Sequence, residues 1–305
     1  MAASWRGSFH YDIMLSRVLA LLLFLSLPAA AHAEKLKVVA SFSILGDMVH
    51  AVAGDNIALK TLVGPNGDAH VYEPSPDDAK AIASANLVIV NGLGFEGWLS
   101  RLIESSGYKG TVVIATSGIV PLPFKGEGLT QDPHAWQSLA NARIYVGNIR
   151  DALIKADSKH TDSYRTNAAR YLKQIEALDG WVWHEVAKVP ASQRQVITSH
   201  DAFQYFSAAY SVRFIAPLGI STDAEASAAD IAHLIDQIRA QKVRAVFMEN
   251  ITDTRLIRQL ESDGGAYAGG TLYSDALSPE GGPAATYLAL FKYNVEQLVA
   301  GMKHN

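Results

Sequence analysis

Short apolar runs alternate with helical patterns along most of this sequence, and that alternation limits the fold more than any other feature. Runs typical of buried strands lie at 35–42, 87–91 and 111–116 in the first half and at 194–199, 212–216 and 244–248 in the second. Strands that alternate with helices form parallel sheets, because each helix carries the chain back to the same edge of the sheet. The pattern therefore predicts an α/β protein with two lobes of parallel sheet flanked by helices.

A long segment without proline separates the two halves. Residues 160–189 contain one glycine, Gly180, and their apolar positions recur at steps of three and four, as a helix requires. A helix of about thirty residues would extend about 45 Å at a rise of about 1.5 Å per residue. We therefore expect a single rigid helix to join an N-terminal lobe, residues 34–159, to a C-terminal lobe, residues 190–305.

The first 33 residues have the features of a secretory signal peptide. Arg17 precedes an apolar run at 18–27, and an Ala-His-Ala cleavage pattern ends at residue 33. About ten apolar residues are too few for a membrane-spanning helix, which needs roughly 20. We therefore expect residues 1–33 to be removed on export, with Met14 as an alternative start, and the mature chain to be a soluble periplasmic protein.

Charge and composition exclude several classes of protein. The formal net charge is −4, and it becomes −5 once Arg6, Arg17 and Asp12 are removed with the signal peptide, which disfavours a nucleic-acid partner. The sequence has no cysteine, so we expect no disulfide, no thiolate metal ligand and no lipid on a mature N-terminal cysteine. After the signal peptide, no segment is long and apolar enough to cross a membrane, so whatever the protein carries has to pass to another protein.

His70 lies in a loop between a predicted strand and a predicted helix. The apolar run at 56–63 predicts the strand, and Ser75 followed by Pro76 predicts the start of the helix. In open α/β sheets, ligands bind in the crevice outside the carboxyl ends of the strands. His70 is therefore a candidate ligand, although most lone loop histidines are ordinary solvated side chains.

Three further side chains have the same local character. His134 follows a proline, His200 directly follows the apolar run at 194–199, and Asp275 follows a strand candidate at 271–273. They form no short motif such as His-x-x-x-His, so only their shared loop positions connect them. Three imidazoles and one carboxylate suit a divalent transition ion such as Zn²⁺, and a bidentate Asp275 would favour Mn²⁺. We expect the dipole of the helix after His200 to favour the neutral form of that imidazole.

Other functions would use some of the same residues. A secreted zinc hydrolase is an alternative, but catalytic zinc keeps an open coordination position and the sequence has no His-Glu-x-x-His motif. A carrier of haem or a siderophore would have a cleft lined with aromatic side chains or arginines. Glu249, after the strand at 244–248, could orient a ligand or form a structural salt bridge. His50 and His184 lie on predicted helices, where a solvated side chain is more common than a ligand.

Five segments contain these residues or lie beside them: GDAHVYEPSPDDAKAIASANLVIVNGLGFEGWL, DPHAWQS, SHDAFQYF, STDAEASAADIAHLIDQIRAQKVRAVFMEN and LYSDALS. Together they resemble the zinc- and manganese-specific solute-binding proteins of bacterial ABC metal importers, of the type known as cluster A-I. The resemblance implies two α/β lobes joined by one long helix, with metal in the cleft between them. The ligand positions of that family fall on four residues already selected: His70, His134, His200 and Asp275.

The resemblance also implies transport rather than catalysis. A protein of this kind is a monomer that captures a divalent ion in the periplasm and passes it to the membrane permease of an ABC transporter. Manganese-specific members commonly have a glutamate at the position of His200, so the imidazole here favours Zn²⁺. Many zinc-specific members have a long histidine-rich loop before the second ligand. The corresponding segment here, residues 121–131, is short and contains no histidine, so Mn²⁺ stays an alternative ion.

Overall fold

The strands of the first half form one parallel sheet. The structure is a computed structural model that describes residues 34–124, 130–216, 219, 222, 231–232, 235–236, 243–251, 262 and 267–305. Its first four strands lie in the order β2-β1-β3-β4. They are β1 (Leu36–Phe42), β2 (Ile57–Val63), β3 (Leu87–Val90) and β4 (Thr111–Ile114). All three pairings are parallel, as the alternation of strands and helices predicts.

Helices cover this sheet and explain its apolar sequence. The central strand β3 is buried along its whole length, and β1 is buried over its last five residues, as the continuous apolar runs predict. Four helices belong to this half: α1 (Ser43–Ala53), α2 (Pro76–Ala83), α3 (Leu99–Ser106) and α4 (Leu139–Ala156). Helix α1 contacts β1 and β2, and α4 contacts β4.

A second parallel sheet repeats the arrangement, with strand order β6-β5-β7-β8. Its strands are β5 (Gln195–Ile197), β6 (Arg213–Ile215), β7 (Ala245–Glu249) and β8 (Tyr267–Leu272). Strand β8 begins four residues before the predicted 271–273 segment. The added part of the strand contains Gly269, where only glycine fits. A Cβ at that position would collide with the ring of Phe247 on the neighbouring strand. Two sheets of this kind confirm the predicted α/β class.

One long helix, α5 (Thr161–Ala187), joins the two halves. Its 27 residues correspond to about 40 Å. The side chain of Asn167 donates to the carbonyl of Val52 in the first half (3.1 Å), and Asp179 accepts from the hydroxyl of Tyr210 in the second (2.6 Å). The helix is therefore bonded to both halves, as expected of a rigid connection. Six of its side chains are buried: Tyr164, Ala168, Tyr171, Ile175, Val182 and Val186.

The second half also contains α6 (Gln204–Tyr210) and α7 (Tyr287–Met302). Leu36–Asn305 form one compact unit, so loops from the carboxyl ends of the two sheets can meet. The lobe boundaries at 159/160 and 189/190 stay a prediction, and residues 1–33, predicted as a signal peptide, lie outside the described residues. Among the helices that the structure describes, each is too short or too polar to be a membrane span.

Candidate metal centre

A tight turn after β2 begins the loop that contains His70. Gly67 closes the turn by donating its amide to the carbonyl three residues earlier (3.1 Å). Asn66 has a left-handed backbone there (φ 55°), which asparagine tolerates better than most residues. The indole of Trp98 donates to the carbonyl of Ala69 (2.7 Å). These bonds hold the backbone just before His70, whose side chain is 3% exposed.

Helix α2 holds the other end of this loop and begins where the sequence predicts. Ser75 is its N-cap and Pro76 its first residue. The hydroxyl of Ser75 accepts from the amide of Asp78 (3.3 Å), and the carboxylate of Asp78 accepts from the amide of Ser75 (2.8 Å), which is a capping box. The hydroxyl of Tyr72 also donates to Asp78 (2.8 Å). The His70 loop is therefore anchored on both sides.

His134 is fully buried just before a 3₁₀ turn, Ala135–Gln137. Its backbone amide and its ring Nδ1 both lie within hydrogen-bond distance of Oδ1 of Asp132, at 2.9 and 2.8 Å. The side-chain amide of Asn91 donates to the carbonyl of Pro133 (2.9 Å) and fixes the backbone between them. In the neutral ring, a carboxylate at Nδ1 favours the tautomer that carries the proton there, which leaves the lone pair on Nε2, on the side of His70.

His200 is held in a similar way by the second sheet. It follows β5 by three residues, and Glu249 ends β7 beside it, both fully buried. Oε1 of Glu249 accepts from the amides of Ser199 (2.8 Å) and His200 (3.0 Å). Oε2 lies 2.7 Å from Nδ1 of His200, an ion-pair distance, although the two groups are not aligned as a hydrogen bond. Glu249 therefore orients His200 through both its backbone and its ring.

Asp275 is buried three residues after β8 and is tied to the loop of His134. The carbonyl of Ser274 accepts from the side chains of Trp136 (2.9 Å) and Gln137 (2.8 Å), both in the 3₁₀ turn after His134. The loops that carry His134 and Asp275 come from different sheets and are bonded directly to each other. Their relative position is therefore set without a metal ion.

The four side chains selected from the sequence converge on one point. Nε2 of His70 lies 3.3 Å from Nε2 of His134 and 3.2 Å from Oδ2 of Asp275. Nε2 of His200 lies 3.1 Å from the same carboxylate oxygen. One donor atom from each residue can be chosen so that all four lie within 4.8 Å of one another. Donors about 2.0–2.1 Å from a tetrahedral zinc ion are roughly 3.3 Å apart, so the three short spacings fit one ion and any wider ones would have to contract.

The surroundings of these donors are apolar on one side and acidic on the other. The rings of Phe95 and Trp136 pack edge-on against His70 and His134, with centroids 4.9 and 5.2 Å apart. Asp132 and Glu249 place two carboxylates behind the imidazoles. With Asp275 these make three carboxyl groups around the site, whereas the four donors alone include one. Buried carboxyl groups around a cluster of imidazoles favour a bound cation.

The charges of this cluster shift the pKa values of its members. Burial alone would lower the pKa of His134, but the carboxylate of Asp275 and the hydrogen bond to Asp132 raise it to about 9. Burial would raise the pKa of Asp275, but the neighbouring charges of His134 and His200 hold it well below its usual value. In the metal-free protein, a protonated His134 and an ionised Asp275 therefore stabilise each other.

The expectation that a helix dipole keeps His200 neutral is wrong for the metal-free protein. Helix α6 begins at Gln204, four residues after His200, and the dipole acts mainly within the first turn. Burial lowers the pKa of His200, but the charges of Glu249 and Asp275 outweigh burial and raise it well above the usual value. Two buried carboxylates from distant strands decide the protonation of this ring.

Sequence reasoning missed Asp132. Its only signal was its position two residues before His134 in an Asp-Pro-His sequence, where a short turn can bring the carboxylate to both the amide and the ring. His50 and His184 are exposed on their helices, as expected. Glu249, for which the sequence left two roles open, lies against His200.

Comparisons with known proteins agree with this geometry. The family model described as the periplasmic component A of the zinc-uptake complex matches residues 38–301. The chain is 35% identical to the iron-binding protein YfeA of Yersinia pestis, over 88% of this chain and 87% of that protein. It is 34% identical to the manganese-binding lipoprotein MntA of Halalkalibacterium halodurans, over 88% of this chain and 89% of that protein.

Solved structures with a similar fold include two metal-binding proteins. The periplasmic zinc binding protein TroA from Treponema pallidum matches with a TM-score of 0.83 and 28% identity, over 88% of this chain and 99% of that chain. The manganese-bound periplasmic metal binding protein from Candidatus Liberibacter asiaticus matches with a TM-score of 0.78 and 30% identity, over 87% of this chain and 98% of that chain. The described fold is therefore similar to that of one protein named for zinc and of another whose structure contains manganese.

Proposed function

Because this chain belongs to the family of the periplasmic component A of zinc-uptake complexes, we propose that it captures a divalent transition-metal ion, Zn²⁺ above all, and delivers it to the membrane permease of an ABC transporter. Proteins of this family are solute-binding proteins, and this chain is a binding protein rather than an enzyme. The alternative of a secreted zinc hydrolase is therefore dropped, and the metal is the cargo.

The convergence of His70, His134, His200 and Asp275 carries the proposal. Oδ1 of Asp275 is buried and, within the part of the chain that the structure describes, has no hydrogen-bond partner. A buried polar atom without a partner is costly, and a bound cation would remove that cost. One ion at the common point would take electron pairs from three Nε2 atoms and one carboxylate, while the Nδ1 sides of two rings face Asp132 and Glu249.

The donor set supports Zn²⁺ as the first choice. Imidazole is a borderline-soft ligand that suits Zn²⁺, whereas oxygen-rich sites suit Mn²⁺, Ca²⁺ and Mg²⁺. Three of the four proposed donors are imidazoles, and four donors complete a tetrahedral shell. The relatives are named for iron, manganese and zinc, so the choice of ion rests here on the donors of this chain.

A manganese carrier of the same family is the second candidate. The observation that favours it is Oδ1 of Asp275, which has no hydrogen bond and lies 3.7 Å from Nε2 of His134, because a carboxylate with both oxygens near the donors can bind in a bidentate manner. A fifth donor atom would expand the shell toward the higher coordination that Mn²⁺ accepts. Competition between the two ions at equal concentration would separate the candidates: zinc is expected to displace manganese, and the reverse order would favour the second candidate.

Delivery requires a membrane partner. Several relatives are named substrate-binding lipoproteins of ABC transporters. We propose that this chain works as a monomer in the periplasm, after removal of residues 1–33, and that a permease accepts the ion from it. Residues 34–159 and 190–305 would act as the two lobes, with 160–189 as the linking helix.

Binding would use both lobes without a large closure. His70 and His134 come from loops of the first half, and His200 and Asp275 come from loops of the second. The bonds of Trp136 and Gln137 to Ser274 already join the two sides, and α5 is bonded to both. We therefore propose small movements of loops and a slight tilt of the lobes during capture and release.

Metal analysis and calorimetry test this function. We expect the purified protein to bind one Zn²⁺ and its unfolding temperature to rise with zinc by mass action. His134→Ala should lose most of that rise, whereas the control His184→Ala, at an exposed position on α5, should keep it. A His134→Ala protein that keeps the full rise would remove His134 from the site.

A further inference from the structure

Asp68 connects the loop of His70 to the opposite half of the protein. Its Oδ1 accepts from the backbone amide of His70 (2.9 Å), and its Oδ2 accepts from the hydroxyl of Thr222 (2.6 Å). Thr222 lies 154 residues further along the chain, beyond β6 of the second sheet. One half-buried carboxylate therefore bridges the backbone of a proposed ligand and a residue of the other half.

Besides the ring of His70, which reaches Asp275 directly, other hydrogen bonds join this loop to the second half, but they do not involve His70. The amide of Asn66 donates to the carbonyl of Leu277 (3.0 Å), and its side chain accepts from Asn250 (3.0 Å). These bonds hold the turn at the start of the loop. Only the bonds of Asp68, among these contacts, act directly on the residue that carries the imidazole.

The rings of the three histidines are held differently. His134 and His200 each have a carboxylate against Nδ1, at 2.8 and 2.7 Å. The carboxylate contact of His70 within the described residues is to Asp275, through Nε2, which is the atom proposed to bind the ion. The position of His70 therefore depends on its backbone, and the backbone amide is bonded to Asp68.

We infer, on the basis of the proposed function, that Asp68 is a positioning residue that keeps His70 on the metal ion, and that its hydrogen bond to Thr222 slows release of the ion. For His70 to leave, its loop has to move away from the second half, and that movement breaks the Asp68–Thr222 bond. Changes at the contacts of one binding site alter dissociation rates far more than association rates. The Asp68–Thr222 bond therefore affects the dissociation rate more than the association rate.

Two substitutions weaken the bond between Asp68 and Thr222 and keep the bond between Asp68 and the amide of His70. Thr222→Val removes the hydroxyl without changing charge, and Asp68→Asn keeps an oxygen for the amide of His70 while it weakens the bond to Thr222. Asp77→Asn is the matched control, because it removes a carboxylate that is exposed and pairs only with Lys80 among the contacts described. Zn²⁺ release from each protein is followed by stopped-flow mixing with an excess of a chromogenic chelator.

We expect Thr222→Val and Asp68→Asn to release Zn²⁺ about tenfold faster than the parent, as the loss of a hydrogen bond to a charged group predicts. The association rate should stay within about twofold, and the unfolding temperature of the metal-free protein should fall by no more than about 6 °C, the shift that loss of one such bond produces in a protein of this size. In a His70→Ala background, Thr222→Val should no longer change the release rate, because Asp68 acts through His70. Asp77→Asn should behave as the parent.

Parent-like release from both variants would overturn the inference. So would an equal acceleration in the His70→Ala background, or a loss of metal-free stability that accounts for the faster release, since either result would mean a general structural role. If the parent protein itself binds no Zn²⁺, the proposed function fails before the variants are compared, and that result is distinct from parent-like release.

Discussion

The buried histidines of the site and the histidine at its edge are held by different means. His134 and His200 are fully buried, and each has a carboxylate behind its ring, Asp132 or Glu249. His70 lies in a loop between β2 and α2, and its backbone amide is bonded to Asp68. The first arrangement fixes rings through their side chains, and the second fixes a ring through its loop.

This difference suggests a division of labour during transport. The loops of His134 and Asp275 are bonded to each other, and Glu249 holds His200, so three donors have a fixed geometry before the ion arrives. A fixed partial shell gives affinity, because little has to be ordered on binding. A carrier also has to release its cargo, and His70, whose loop is bonded through Asp68 rather than through its ring, can move while the other three donors keep their bonds.

Loss of a buried imidazole should have the largest effect. His200→Ala removes a donor and leaves Glu249 and Asp275 buried without their common partner, so we expect Zn²⁺ affinity to fall on the order of 1,000-fold. His70→Ala removes the partner of one carboxylate, Asp275, and should reduce zinc affinity by roughly tenfold less. Competition titration against a chelator of known affinity measures both. Equal losses would contradict the distinction between the two kinds of histidine.

Acid should weaken binding by the next largest factor. The pKa of His134 is about 9 in the metal-free protein, so this ring carries a proton at pH 7.5 that zinc has to displace. Each displaced proton costs about tenfold in affinity per unit of decreasing pH, so pH 5.0 should weaken binding about 300-fold or more relative to pH 7.5. Titration calorimetry at both values measures this, and equal affinities would contradict it.

The number of protons released on zinc binding shows whether His134 carries the displaced proton. Calorimetry in buffers of different ionisation enthalpy counts the protons released on binding. At pH 7.5, His134→Ala should release about one proton fewer than the parent, because burial is outweighed by Asp275 and Asp132 and the pKa is raised. Unchanged release in this variant would show that the proton is held elsewhere.

Removal of a supporting charge should have an intermediate effect. Glu249→Gln keeps acceptors for the amides of Ser199 and His200 but removes the negative charge beside the ring. We expect zinc affinity to fall between about 10- and 100-fold, as for other carboxylates that orient histidine ligands. Glu104→Gln, at an exposed position, is the charge-matched control. A parent-like affinity for Glu249→Gln would mean that Glu249 does not support His200.

The smallest effect is expected far from the site. Gly180 is exposed within α5, and a Cβ there would meet no atom within 4 Å. Gly180→Ala should therefore stabilise the fold by about 0.5–1 kcal/mol, measured by urea unfolding. Zinc affinity should stay unchanged, because the site depends on loops rather than on the stiffness of the helix. A changed affinity would show that the stiffness of α5 affects the metal site.

Sequence patterns predicted the fold because its determinants are local. The apolar runs of β1 and β3, the cap at Ser75 and the unbroken periodicity of α5 all act within a few residues. The start of β8 was misplaced because its glycines usually disfavour strands. Only the closeness of the Phe247 ring explains why glycine is needed at Gly269.

The candidate site was predictable only in part. Loop positions and family resemblance selected the four donors, and the structure brings them together, while their role as metal ligands stays a prediction. The protonation of His200 was mispredicted because it depends on Glu249, which is 49 residues away. Asp68 and Thr222 are 154 residues apart in the sequence, and no local sequence pattern predicts a hydrogen bond between them.

The central claim is that one ion is bound by side chains from both halves of the protein. Anomalous diffraction from crystals of the zinc-loaded protein at the zinc edge tests it most directly. We predict a single strong peak about 2.0–2.2 Å from Nε2 of His70, His134 and His200 and from the carboxylate of Asp275. A zinc peak outside this cluster, or one that contacts donors from only one half, would contradict the account.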